Sequence, residues 1–179
     1  MATAEILPAF SYACGMISAK LSDGERVLLQ NVFFSLSSGE RLAIIGETGS
    51  GKTMLALSIL GLLPSNVRMQ GGCIQMDGTA LPTGKQLQML RGDKLVYIPQ
   101  NGAEFLLPVR TVRKQLYDSL KKLGLPRKGL PASAAEKLRL AGFDAPETVL
   151  DKYPFQLSGG MAQRVTIALA ACSRARLLI

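Results

Sequence analysis

Histidine and tryptophan are absent from this 179-residue sequence, and cysteine occurs only three times. Cys14, Cys73 and Cys172 lie far apart, so neither a zinc-ligand spacing nor an even disulfide framework can be drawn through them. The expected setting is a reducing cytoplasm. Long apolar runs are lacking too. The longest, Met54 to Leu63, is about half of the roughly 20 residues that a membrane-spanning helix needs. At the start of the chain Glu5 and Pro8 interrupt the apolar residues and no Lys or Arg precedes Lys20, so no signal peptide is expected. Charge is sparse but unbalanced: 21 Lys and Arg against 13 Asp and Glu leave a net +8, which favours anionic partners. Aromatic residues make up only 6%, too few for a basic surface interleaved with stacking rings, so nucleic acid is not the expected anion. With 47% apolar and 19% charged residues the chain can bury a core, which excludes a disordered tail.

Hydrophobic patterning predicts an α/β protein. Arg41 to Ile45 follows the Ser38-Gly39 turn signal and stops at a glycine-rich segment, which reads as a buried strand. Met54 to Leu63 reads as a buried helix stopped by the Gly61 to Pro64 stretch. Val27 to Leu36, together with Cys73 to Met76 before Asp77-Gly78, forms an expected antiparallel layer beside the core. Leu95 to Ile98 is a second core strand. Val112, Leu116, Leu120 and Leu123 share one helical face, Ala134 to Ala141 is a second helix, and Gly124 to Pro131 breaks the chain between them. A third helix is expected from about Met161 to Ala175. The organisation drawn from this is a core over residues 1–99, a glutamine loop with helical insertion over 100–157, and a final helix and strand start over 158–179.

Two motifs carry chemistry. Gly46-Glu47-Thr48-Gly49-Ser50-Gly51-Lys52-Thr53 fits G-x-x-x-x-G-K-[ST] at a strand-to-helix junction, the setting that a phosphate-binding loop requires. Its glycines allow backbone N–H groups to converge on phosphate oxygens. Lys52 supplies a point charge to the β- and γ-phosphates, the Thr53 hydroxyl is suited to Mg²⁺, and the helix adds its positive end. The second motif is Leu157-Ser158-Gly159-Gly160-Met161-Ala162-Gln163-Arg164, just before the third helix. Taken alone it reads equally as an anion site or as an ordinary N-cap.

Together these residues resemble the ATP-binding cassette family, in which a P-loop, a glutamine-bearing loop, a helical insertion and an LSGGQ-type signature follow in this order. Gln100, at the end of the Leu95 to Ile98 strand, stands where that family's loop glutamine stands. Met161 in place of the signature glutamine, then Gln163-Arg164-Val165, and the preceding Tyr153-Pro154-Phe155-Gln156, are similar to the peptide and nickel importer branch. The resemblance implies ATP and Mg²⁺ as ligands, with Thr53 and Gln100 on the metal, Lys52 and Gln100 serving hydrolysis, and Gln100 sensing the attacking water. It implies head-to-tail pairing with a second ATP-binding subunit, homo- or heterodimeric. Ser158, Gly159, Gly160, Met161 and Gln163 would then meet nucleotide bound to the partner. Residues 100–157 would engage transmembrane permease subunits on the inner face of the membrane, with no direct contact to solute.

The sequence also departs from the family. The stretch after Gln100 keeps only Leu106 and Pro108 of the branch's D-P-x-x-x-L-N-P pattern. No aromatic residue lies between Ile17 and Val27 to stack on adenine, leaving Leu21 or Val27 for apolar contact. Leu177-Leu178-Ile179 looks like the start of the second acidic motif's strand, and that motif's Asp and Glu and the switch histidine are not found in residues 1–179. The expectation is a truncated importer subunit. The alternative is a defective cassette that binds nucleotide or a partner without turnover, and the coding sequence past Ile179 separates the two. The basic residues Arg110, Arg113, Lys114, Lys121, Lys122, Arg127 and Lys128 read as a solvated face of the insertion.

Overall fold

The structure is a computed structural model that describes residues 9–179; the signal-peptide reading of Glu5 and Pro8 lies outside them. Contacts divide the chain into two compact units, one ending at Met89 and the other running Leu90–Ile179.

The first unit holds β1 (Phe10–Leu21), β2 (Gly24–Leu36), α1 (Lys52–Ile59), β3 (Val67–Met76), β4 (Thr79–Ala80) and the start of α2 (Gly84–Leu90). The strands form one antiparallel sheet in the order β2-β1-β3-β4, the layer expected from the patterning of Val27 to Leu36 and Cys73 to Met76. Asp77 and Gly78 turn the β3-β4 hairpin with φ of 52° and 73°, angles that suit a two-residue primed turn. The middle strand, β1, was not anticipated. It buries Phe10, Tyr12 and Cys14, then changes phase to Ile17 and Ala19. The change coincides with a register shift against β2 at Ile17/Ser18, where Leu29 pairs with Ile17 and Val27 with Ser18, leaving Leu28 as the extra residue of a bulge. The Tyr12 ring stacks on Phe34 at 5.2 Å and its hydroxyl meets Ser58 Oγ at 2.8 Å, which fastens α1 to the sheet. Burial pushes the Tyr12 phenol above its ordinary range, so the group stays neutral there.

The second unit holds β5 (Leu95–Val96), α3 (Val112–Lys122), α4 (Leu130–Leu140), α5 (Glu147–Leu150), α6 (Gly159–Ala170) and β6 (Leu177–Leu178). β5 and β6 run parallel, and the ladder continues through Ile98 N–H to Ile179 O at 2.7 Å. Val112, Leu116 and Leu120 of α3 are buried against Leu138 of α4 and Val165 of α6 in one apolar cluster. Thr111 caps α3 by accepting from Lys114 N–H, and Lys121 and Lys122 sit in its last turn, where cations suit the helix dipole. Arg113 holds Asp151 with two bonds of 2.7 Å. That bond keeps the exposed Asp151 carboxyl below its usual range and raises the Arg113 guanidinium. The basic face is partly paired, since Arg110 also reaches Asp118 at 2.6 Å.

Three expectations are corrected. Arg41 to Ile45 is neither a strand nor buried: Ile45 is 93% exposed, and among the described residues no strand pairs with this segment. A buried strand needs ladder partners for its N–H and C=O groups, and composition alone does not provide them. Helix α4 begins at Leu130 and takes Pro131 into its first turn, where the absent N–H costs nothing. Helix α6 starts at Gly159 and ends at Ala170 rather than Ala175: after Ala171 N–H bonds Ile167 O, Cys172 N–H closes on Leu169 O only three residues back, and Ser173 Oγ takes up Ala170 O at 2.6 Å.

The burial pattern is checked by cysteine chemistry. Cys14 and Cys172 are buried and Cys73 is exposed, and burial pushes the Cys172 thiol up to about 11. Maleimide at pH 8 is expected to label Cys73 alone in the folded chain and all three cysteines in denaturant. Equal labelling of Cys172 without denaturant would contradict the α6 packing.

Candidate functional site: a nucleotide-binding cassette

The loop from Gly46 to Thr53 leads into α1. Gly51 is its N-cap at φ 91°, and a Cβ there would lie 2.7 Å from Leu29 Cδ2 and 3.2 Å from Leu28 O. Backbone angle and space thus both demand glycine, because the loop's exit rests on the β2 bulge. Lys52, the first residue of α1, folds its ammonium back over the loop. It donates to Gly46 O at 2.7 Å, Glu47 O at 2.5 Å and Ser50 Oγ at 3.2 Å. One cation and three inward oxygens mark the centre of the cradle. Thr48, Gly49 and Thr53 are exposed beside it, and α1 carries no acidic residue in its first turn to repel an anion.

In the second unit Gln100 is exposed just past buried Pro99. Ser158 caps α6, with Oγ accepting from Met161 N–H at 3.3 Å and its carbonyl accepting from Ala162 N–H at 2.8 Å. Gly159 and Gly160 are exposed with open space where a Cβ would stand, so their N–H groups lie at an accessible helix start. Gln163 points elsewhere. Its Oε1 accepts from Gly102 N–H at 2.8 Å and its Nε2 donates to Pro99 O at 3.0 Å. Arg164 lies over the Phe143 ring at 4.6 Å and donates to Gly142 O at 2.7 Å. Leu21 and Val27 are both exposed, 41% and 50%, on the β1-β2 hairpin, where an apolar contact to a base was expected.

Sequence reasoning missed Gly102 and Thr166. A Cβ on Gly102 would stand 2.8 Å from Gln163 Cα, Gln163 Oε1 and Thr166 Oγ1, so the loop backbone rests directly on α6. A glycine two residues past Gln100 was the available signal. Among the described residues no cluster of His, Cys, Asp or Glu could hold a metal ion, and no helix is long and apolar enough to cross a membrane.

A glycine-rich loop clasped by the first lysine of its helix, with a second glycine-headed helix after an inserted bundle, defines a P-loop nucleotide-binding cassette. The chain belongs to the ABC transporter family, whose profile matches residues 29–179. It is 35% identical over 165 residues to the nickel import ATP-binding protein NikD of Brucella abortus biovar 1 (strain 9-941), covering 92% of this chain and 62% of that protein. It is 38% identical over 154 residues to the dipeptide transport ATP-binding protein DppD of Haemophilus influenzae (strain ATCC 51907 / DSM 11121 / KW20 / Rd), covering 84% of this chain and 47% of the relative. The chain therefore spans less than two thirds of the length of these relatives. The solved dimer of MJ0796, a bacterial ABC transporter cassette, superposes with a TM-score of 0.77 at 25% identity, over 91% of this chain and 69% of that one. The same cassette has been solved bound to ADP and Pi, with a TM-score of 0.78.

Proposed function

We propose that this chain does the ATP-binding work of an importer of the nickel or peptide class. The observation that carries the reading is the convergence of Lys52 Nζ with the Gly46 and Glu47 carbonyls at the head of α1. In this reading residues Gly46 to Thr53 take the triphosphate, and Lys52 exchanges its loop carbonyls for phosphate oxygens. Ser158, Gly159, Gly160 and Met161 present the start of α6 to nucleotide held by a second ATP-binding subunit. The relatives' names support nickel or peptide as cargo classes.

Two side chains, each taken singly, have chemistry that suits Mg²⁺. Thr53 offers a hydroxyl and Gln100 an amide oxygen, hard ligands of the kind that Mg²⁺ takes alongside phosphate oxygens and water. When bound, Mg²⁺ neutralises charge on the β- and γ-phosphates. Thr53 and Gln100 hold oxygens ready, and Lys52 orients the phosphates. Residues 1–179 contain no histidine and no adjacent Asp-Glu pair. Lys52 and the Gly46 to Thr53 loop equip this chain for ATP binding.

Partners follow the same reading. Residues 100–157 face a permease subunit on the inner side of the membrane. An open groove of about 620 Å³ lined by Phe105, Leu107, Arg110, Asp118, Lys122 and Leu169 supports this. Phe105 and Leu107 are more than half exposed, which suits an apolar docking contact.

Sedimentation with and without Mg·ATP tests the pairing. The parent chain is expected to associate in ATP. Ser158→Arg is expected to bind ATP as a single chain with parental affinity but to remain monomeric, because a bulky cation opposes the helix dipole and fills the space meant for phosphate. ATP-dependent association of Ser158→Arg as strong as the parent's would overturn the role given to Ser158.

A further inference from the structure

We infer that Gln163 is a positioning residue that ties the helix headed by Ser158 to the loop that carries Gln100; the part of this inference concerning Gln100 and Mg²⁺ rests on the function proposed above. The loop leaves β5 as Pro99, Gln100, Asn101 and Gly102. Its two ends are held by one side chain, with Pro99 O accepting from Gln163 Nε2 and Gly102 N–H donating to Gln163 Oε1. Gln100 and Asn101 form the arch between these points. Asn101 is used within the loop, its Nδ2 donating to Glu104 Oε1 at 2.6 Å, and Gln100 is exposed at the top.

Chemistry limits what can do this. The bridge needs a donor and an acceptor on one planar head at the end of a two-carbon stem, which glutamine has. Glutamate keeps the acceptor for Gly102 N–H but sets a second oxygen against Pro99 O. Methionine has similar reach and makes neither bond. Packing strengthens the tie, since Gly102 is buried against the α6 backbone and its carbonyl accepts from Thr166 Oγ1 at 3.2 Å. That hydroxyl also lies 3.0 Å from Ala162 O inside α6, so its single proton is shared between the two carbonyls. Gln163 and Thr166 lie one turn apart on one face, so the loop is bound to a rigid segment that begins five residues after the Ser158 cap. A shift of that helix on engaging a partner carries Pro99 and Gly102 with it and thereby moves Gln100.

Hydrogen exchange of the Gly102 amide, followed by NMR on the full chain without nucleotide, reads the tie directly. Gln163→Met is expected to speed Gly102 exchange about fivefold to tenfold, the order of one lost hydrogen bond, while amides of α3 and α4 keep parental rates. Gln163→Glu, which retains the acceptor, is expected to keep most of the Gly102 protection. Parental Gly102 exchange in Gln163→Met would overturn the tie. The functional half is read as the Mg²⁺ concentration for half-maximal ATP binding. Gln163→Met and Gln100→Ala are each expected to raise it, and the double variant is expected to do no more than Gln100→Ala alone. Additive effects would show that Gln163 acts other than through Gln100 and would overturn the positioning role. Absence of ATP binding by the parent would refute the proposed function and with it the Gln100 half, while Gly102 exchange would still decide the tie.

Discussion

Lys52→Ala is expected to lower the affinity for ATP about 100-fold or more while leaving the fold intact. The Lys52 ammonium is the only cation described within the loop, and it already binds three oxygens there. Two of them are neutral carbonyls, so replacing them with phosphate oxygens turns ordinary hydrogen bonds into charge-assisted ones. Each such bond is worth about 1.5–3 kcal/mol, and about 1.4 kcal/mol is a factor of ten in affinity. The bonds given up set a discount, but more than one phosphate contact is open to a three-donor ammonium. The substitution also releases the Gly46 and Glu47 carbonyls into solvent. They lie in an exposed segment, so water replaces the lost donor and the sheet beneath is little affected. Titration with a fluorescent ATP analogue measures the effect, and circular dichroism checks the fold. Equal affinity in parent and variant would remove the phosphate-loop assignment.

Short-range chemistry was readable from the sequence because it depends on neighbours a few residues away. The spacing from Gly46 to Thr53 predicts a glycine-rich loop that opens a helix, and the structure places Lys52 at the start of α1 with its ammonium turned into that loop, while the strand expected on its other side is absent among the described residues. The helical period through Val112, Leu116 and Leu120 gave α3 and its buried face. What failed depends on distant partners. Arg41 to Ile45 has the composition of a core strand, yet a strand exists only where another segment accepts its hydrogen bonds. Helix α6 ends at Ala170 and its backbone tightens to a three-residue closure at Cys172 N–H to Leu169 O, a change that the alanines and cysteine there do not announce. Strand β1 was hidden because Gly15 interrupts it and its buried face changes phase near Ile17.

The site shows the same division. Ser158 as a helix cap follows from local chemistry, and the structure gives it that bond. Gln163 was grouped with the signature because it stands in the motif. Its amide instead spans a gap of more than 60 residues to reach Pro99 and Gly102. No pattern along the chain encodes that direction, because it is set by how α6 lies against the loop after β5. The glycine at 102 is its one trace in the sequence.

The 179-residue chain is expected to bind Mg·ATP and to release phosphate no faster than Lys52→Ala does. Phosphoryl transfer to water needs the phosphates held, the metal fixed and the attacking water oriented and relieved of its proton. Lys52 and the loop serve the first need, and Thr53 with Gln100 offers part of the second. For the third, residues 1–179 supply no histidine, and Glu47 has its carbonyl on Lys52 and its side chain exposed. A positioned general base is worth about 10²–10⁴-fold in rate, and none of Lys52, Thr53 and Gln100 can serve as one on the proposed reading. Gln100 cannot replace it, because an amide orients water by hydrogen bonding and does not take up its proton at neutral pH. The measurement is steady-state phosphate release by parent and Lys52→Ala at saturating Mg·ATP, with binding followed in parallel so that a weak ligand is not mistaken for slow chemistry. Turnover by the parent that disappears in Lys52→Ala would mean that a base acts among the described residues, and the first carboxylate to replace would be Glu47, by Glu47→Gln.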